Sequence, residues 1–181
     1  TQEKNPASCD GRRFQKLLEY SRDHIALIDA QGKLLYTNAV DHLLGYPREV
    51  YLELNPYMLI HPVDLPRVQA CFATLLATRG ATTTIELRNR HQAGHYVWTE
   101  VTARNLLHDP DIGALVLYSR DITERQQIQN ALAEARSLLC TLLDAMPDLI
   151  YVKDLHHRFV LCNAAACHVL HDLPPEAIIG K

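Results

Sequence analysis

The sequence predicts an α+β protein, an antiparallel sheet with helices on one face, and three observations carry that expectation. Short apolar runs bounded by turn residues fall into two groups, two before a helix-rich middle and three after it. Between the groups, apolar residues at helical spacing mark a long helix preceded by shorter ones. The third observation is an internal repeat, in which Leu17, Leu18, Asp23, Ile25, Asp29, Asn38 and Ala39 recur without a gap as Leu142, Leu143, Asp148, Ile150, Asp154, Asn163 and Ala164. The spacing is about one small domain's length, so two globular copies fit better than a stacked solenoid.

Helical spacing over residues 14–21 leads into an apolar run at 25–29. The turn signal Ala30, Gln31 and Gly32 then hands over to Leu34, Leu35 and Tyr36. Gly32 supplies the positive φ of a tight hairpin turn. From Asn38 the chain reads as short helices broken at Gly45-Tyr46-Pro47, Asn55-Pro56 and His61-Pro62, where each proline denies a continuation. Asp64 is placed to cap a longer helix from Leu65, with Val68, Phe72, Leu75 and Leu76 on one face and Arg79-Gly80 at its end.

Three strands follow, over 83–91, 95–106 and 113–122, the first two joined by a turn at Gln92-Ala93-Gly94. In the middle strand Val97, Thr99, Val101 and Ala103 alternate with Trp98, Glu100, Thr102 and Arg104. The first set therefore faces the core, and Trp98 falls on the outer face near Tyr118, Arg120 and the start of the next segment. In that segment Ile128, Leu132, Ala135, Leu139, Leu142 and Met146 are spaced alternately by four and three residues, a heptad seam. One continuous helix is expected from Thr123 to Ala145, ended by Pro147 and pairing with its twin in a parallel dimer. The alternative is that the later seam positions pack on the core of the second copy.

A net charge of −3 with no clustered Lys and Arg argues against a nucleic-acid surface. No apolar run reaches the roughly 18 residues of a membrane span and no signal peptide opens the chain, so a cytoplasmic segment without membrane contact is expected, from a parent that membrane spans elsewhere could anchor. The missing initiator Met and the break-off of the second copy at Lys181 suggest a piece of a longer chain. Cys9, Cys71, Cys140, Cys162 and Cys167 form no CxxC pair and are odd in number, so they read as reduced, mostly buried thiols.

Six stretches together resemble the PAS domain family with its C-terminal PAC part. They are Ile28-Asp29-Ala30-Gln31-Gly32, Tyr36-Thr37-Asn38, Leu44-Gly45-Tyr46, Ile60-His61-Pro62-Val63-Asp64, Glu86-Leu87-Arg88 and Asp121-Ile122-Thr123-Glu124-Arg125, with Val97-Trp98 fitting as well. The resemblance spans almost all of residues 14–125, and the repeated Asp and Asn pattern with Pro174-Pro175-Glu176 extends it to the second copy. It implies a five-stranded antiparallel sheet cupping a small pocket, followed by a coiled-coil-like helix. The implied organisation is a flank over 1–13, a first PAS domain with its PAC segment over 14–123, a connector helix over 124–146, and the opening of a second PAS domain over 147–181. The implied role is a cytoplasmic sensor or dimer module in bacterial signalling.

Ligand chemistry would belong to the inner face of the sheet, where alternation places Ile85, Leu87, Asn89, Thr99, Val101, Leu115, Leu117 and Ser119, with Phe72 contributed by the long helix. Asn89, Thr99 and Ser119 are the polar exceptions, and each needs a hydrogen bond from protein, water or ligand. No cofactor is expected. The Gly-x-Asn-Cys-Arg-Phe-Leu-Gln segment of flavin-binding PAS domains is missing; Asn89 resembles one of their flavin-contacting asparagines, but Thr99 and Ser119 replace the other asparagine and the glutamine. The axial histidine of haem-binding members has no counterpart between Leu65 and Arg79. A small-molecule ligand stays open.

His61-Pro62-Val63-Asp64 reads as turn and cap, and His156-His157 as a hairpin turn, neither as a metal site. Thr123 and Gln126 have capping-box spacing. The resemblance adds a coupling role for Asp121, Thr123 and Arg125, with Trp98 beside them. No phosphoacceptor-histidine, Gly-Gly-Asp/Glu-Glu-Phe, P-loop or nucleophile-elbow motif is present, so the segment is expected to be non-catalytic. Two readings stand: a sensory module feeding an output domain in the same chain, a histidine kinase or a cyclic-di-GMP enzyme by family analogy, and a ligand-free dimerisation and spacing module.

Overall fold

The computed structural model describes residues 23–38, 40–169 and 178–180. The helix expected over 14–21, the repeat positions Leu17, Leu18 and Ala39, Cys9 and the Pro174-Pro175-Glu176 stretch lie outside the described residues. The chain divides into two compact units, Thr1–Gln126 and Gln127–Lys181.

In the first unit β1 (His24–Ile28) and β2 (Leu34–Thr37) form the opening hairpin. Asp29 builds the turn, its Oδ1 accepting the backbone N–H groups of Gln31 and Lys33, both at 2.9 Å, while Gly32 takes a φ of 84°. Next come α1 (Asp41–Leu44), α2 (Arg48–Glu53), a 3-10 turn (Pro56–Met58) and α3 (Leu65–Ala77). The strands β3 (Thr82–Arg90), β4 (Tyr96–Leu106) and β5 (Ala114–Asp121) complete an antiparallel sheet in the order β2-β1-β5-β4-β3. Helix α4 (Thr123–Ala145) leaves the end of β5.

Strand alternation divides the sheet into two faces. β1 buries His24, Ala26 and Ile28, and β4 buries Val97, Thr99 and Val101, in each case every second residue. On that face Leu44, Val40, Leu75 and Leu115 are almost wholly removed from water. Each buried leucine or valine contributes about 1.5–3 kcal/mol of transfer free energy. β3 is an edge strand, and the C-terminal end of its outer edge is covered: His61 N–H donates to the Arg88 carbonyl at 2.8 Å and Arg90 N–H to the Leu59 carbonyl at 2.7 Å. Where the edge is filled by its own chain it offers no template to a foreign strand. The same pairing draws the segment after α2 across the sheet.

Two local readings need correction. Asp64 begins α3 with its carbonyl, which accepts from Val68 N–H at 3.0 Å, but its side chain makes no cap. The carboxylate turns instead to Arg88, accepting from Nε at 2.9 Å, Nη2 at 3.0 Å and the backbone N–H at 3.0 Å. An ion pair with a bidentate guanidinium outweighs a single cap bond. The helix also stops at Ala77 rather than Arg79, because the buried Asn105 amide donates to the carbonyls of Leu75 at 2.9 Å and Thr78 at 3.1 Å and satisfies the helix end from outside.

The second unit holds most of α4, the two-stranded pair β6 (Tyr151–Lys153) and β7 (Phe159–Cys162), and α5 (Ala164–Val169). It explains the sequence repeat bond by bond. Asn38 Oδ1 accepts from Ile25 N–H at 2.8 Å, and its amide donates to the Asp23 carbonyl at 3.1 Å. Asn163 makes the matching bonds to Ile150 N–H at 3.0 Å and the Asp148 carbonyl at 2.8 Å. Asp154 accepts from His156 and Arg158 N–H at 2.8 and 3.0 Å, as Asp29 does from its own turn. His157 stands at the position of Gly32 and takes a φ of 63°. Among the described residues no helix is long and apolar enough to cross a membrane.

Candidate functional site

A cavity of about 110 Å³ lies under the helices of the first unit, against the inner face of β3, β4 and β5. Of the residues expected there, Ile85, Leu87, Asn89, Val101, Leu117, Ser119 and Phe72 line it. Thr99 and Leu115 do not reach the wall. Both are fully buried, Leu115 within the apolar core and Thr99 behind Asn89. Tyr51, Tyr57, Ile60 and Cys71 are wall residues that strand alternation did not reveal, because they come from the helices and the segment that links them. The aromatic pair Tyr57 and Phe72 meets edge to face, with ring centroids 6.0 Å apart.

The three polar residues differ in how they are satisfied. Asn89 Nδ2 donates to Thr99 Oγ1 at 2.7 Å, and that hydroxyl donates onward to the Leu87 carbonyl at 3.2 Å. This chain orients the Asn89 side chain and uses the only proton the Thr99 hydroxyl can donate. The Ser119 hydroxyl makes no hydrogen bond to a described residue, although the residue is only 8% exposed and lines the cavity. An unpaired hydroxyl on a mostly apolar cavity wall is a point of orientation for a small guest.

Behind the wall, His24 pairs across the sheet with Ser119. Its Nε2 lies 2.7 Å from Thr37 Oγ1 and its ring meets Tyr51 edge to face at 5.6 Å. The Thr37 hydroxyl donates to the Asn38 carbonyl at 3.3 Å, which leaves it to accept from His24. Burial pushes the His24 pKa down to about 4 and the Tyr51 phenol up to about 12, so both are neutral near pH 7.

On the opposite face, β3 and β4 grip the first turn of α4. The Glu86 carboxylate takes both the Arg125 guanidinium and the Gln126 amide, the latter at 2.8 Å, and Glu100 stands 3.8 Å from Arg125. Thr123 Oγ1 accepts from Trp98 N–H at 3.0 Å, while Asp121 Oδ1 accepts from Thr123 N–H at 2.8 Å. The expected capping box between Thr123 and Gln126 is therefore absent: each side chain is claimed by the sheet, which supplies better-placed partners than the helix end. Trp98 does not line the cavity, and its ring lies 5.2 Å from the Arg88 guanidinium, the residue opposite it on β3. Arg120 pairs with Asp23, at 2.8 and 2.9 Å.

Along α4, Ile128, Leu132, Ala135, Leu139 and Leu142 are all exposed, Leu132 at 70%. Near the second hairpin Asp154 pairs with Arg158 at 2.9 Å, and no group of three or more metal-ligating side chains occurs among the described residues.

A five-stranded antiparallel sheet that encloses a small cavity on one face and grips the first turn of a helix on the other is an architecture found in sensory modules of signalling proteins. Comparison with known proteins gives the particular family. A profile described as PAS fold matches residues 33–115, and one described as PAS domain matches residues 137–180. The chain belongs to the PAS sensor family.

Solved structures agree. A domain of a sensory box sensor histidine kinase/response regulator from Geobacter sulfurreducens is 28% identical with a TM-score of 0.52, covering 64% of this chain and 96% of its own. The PAS domain of a protein from Colwellia psychrerythraea is 25% identical with a TM-score of 0.56, covering 64% and 98%. A third, the PAS domain of an HTR-like protein from Haloarcula marismortui, shares the fold at 23% identity and a TM-score of 0.55, covering 65% and 95%.

Proposed function

We propose that the first unit is a cytoplasmic sensor whose cavity admits a small, largely apolar molecule carrying one hydrogen-bonding group, and that its occupancy is relayed through α4 to an output domain in the same chain. One observation carries this reading: on β3, Ile85 and Leu87 line the cavity while Glu86, between them, holds Arg125 and Gln126 of α4. A guest that moves the strand moves the helix anchor with it. It shifts the equilibrium only to the extent that it prefers one position of β3. Asp121, Thr123 and Trp98 make the second tie between sheet and helix. By analogy with the kinase relative, the output is a histidine kinase, with a cyclic-di-GMP enzyme as the other candidate.

The test uses the cavity itself. Native mass spectrometry of the purified chain should reveal a retained small molecule, and Ala103→Leu, which fills the cavity from β4, should displace it and change amide exchange in the first turns of α4. Glu86→Gln should leave binding intact and abolish the change in exchange. Absence of any retained molecule, together with unchanged exchange in Ala103→Leu, would remove the sensor reading.

The exposed seam on α4 favours a second reading, a spacer that dimerises without a ligand. Ile128, Leu132, Ala135, Leu139 and Leu142 then pair with their twins in a parallel coiled coil, and Met146 extends the same spacing.

A further inference from the structure

Neither reading uses a contact that lies in the second unit. Cys162, the last residue of β7, and Cys167 on α5 place their sulfur atoms 3.2 Å apart. Both are buried, with Ala166 and Ile178, in a small apolar cluster against which Phe159 packs. A disulfide bond is about 2.05 Å long, so a closure of about 1.2 Å would join them. Burial, and then the contact with Cys167, pushes the Cys162 thiol up to about 11, which keeps its proton in place.

We propose that Cys162 and Cys167 form a reversible dithiol–disulfide site that takes a small peroxide as its electron acceptor. The Cys167 sulfur, as thiolate, attacks one peroxide oxygen; the O–O bond breaks, hydroxide leaves and a sulfenic acid remains. The Cys162 sulfur then attacks the sulfenic sulfur, the S–S bond forms as the S–O bond breaks, and water leaves with the Cys162 proton. The hydroxide takes up the proton that Cys167 released. The two sulfurs have together lost two electrons, and one peroxide has become two waters.

The position gives the bond a consequence. Asn163, next to Cys162, donates to the carbonyls of Leu143 at 3.0 Å, Met146 at 3.4 Å and Asp148 at 2.8 Å, and accepts from Ile150 and Ala166 N–H at 3.0 Å each. It thus ties the end of α4 to the second hairpin. A disulfide between the residues on either side of this knot braces the joint where the connector ends, and reduction releases the brace.

The experiment treats the full chain, in a Cys140→Ser background that removes the exposed Cys140 thiol, with hydrogen peroxide and maps peptides without reduction. The expected product is a Cys162–Cys167 cross-link, with both thiols lost together and restored by dithiothreitol. In one glutathione redox buffer, the ratio of disulfide to dithiol should be at least about tenfold higher in the folded chain than in guanidinium, because the fold holds the sulfurs together. Two persistent thiols, independent oxidation of either sulfur to a sulfinic acid, or equal ratios in the folded and denatured chains would each overturn the proposal.

Discussion

Asp64 binds Arg88 three times, through both guanidinium bonds and the backbone N–H of the same residue, at 2.9, 3.0 and 3.0 Å. One carboxylate thereby fastens the start of α3 to the edge of the sheet and aims the Arg88 guanidinium beneath the Trp98 ring. The guanidinium, which donates the side-chain bonds, holds the Asp64 carboxyl below its ordinary pKa of 3.8. A depressed folded pKa stabilises the protein above the unfolded value and ceases to do so as pH falls through the folded one. Asp64→Asn should cost about 1–3 kcal/mol at pH 7 and flatten the loss of stability below about pH 4. Urea titrations at a series of pH values read both effects, and equal acid sensitivity in the variant would place the titrating group elsewhere.

His24 has the opposite chemistry but the same sign. Its folded pKa of about 4 lies below the ordinary 6.5, so between those values the unfolded chain binds a proton that the folded chain refuses. Stability should be full above pH 6.5 and fall by up to about 1.4 kcal/mol per pH unit on acidification towards pH 4. His24→Gln, which keeps a nitrogen near Thr37 but cannot titrate, should remove that slope. If the variant and the parent chain give parallel profiles, burial of His24 does not govern acid stability.

Thr99 supports the cavity from behind. Thr99→Val strands the Asn89 amide, so a loss of about 1–3 kcal/mol is expected. The freed amide should also weaken retention of any guest, while Ser119→Ala weakens retention with little change in stability. Calorimetry and native mass spectrometry on the two variants separate these effects.

On α4, replacing Leu132 and Leu139 with Lys changes two exposed residues, 70% and 61% accessible, and touches neither core. If the seam pairs as the second reading holds, sedimentation velocity should show a dimer for the parent chain and a monomer for the variant. An unchanged dimer would mean that association uses another surface and that the helix is a strut.

By itself the sequence determined the elements and their faces. Alternation along 95–106 and heptad spacing along 123–145 are local properties of strand and helix, and they assigned residues to the inner wall and to the seam without knowledge of any neighbour. The repeated Asp and Asn were legible for the same reason. Asp29 and Asp154 bond within their own turns, and Asn38 and Asn163 span a single hairpin. Partners remote in sequence were decided only by the tertiary structure. Asp64 and Thr123 each looked like a helix cap because caps are local, yet Arg88 lies 24 residues from the first and Trp98 lies 25 from the second. Closure of the sheet by β1 against β5 placed His24 beside Ser119, and helices folded across that sheet brought Tyr51, Tyr57 and Cys71 to the cavity. Periodicity states which way a side chain points, but what it meets depends on how distant elements close around a common core.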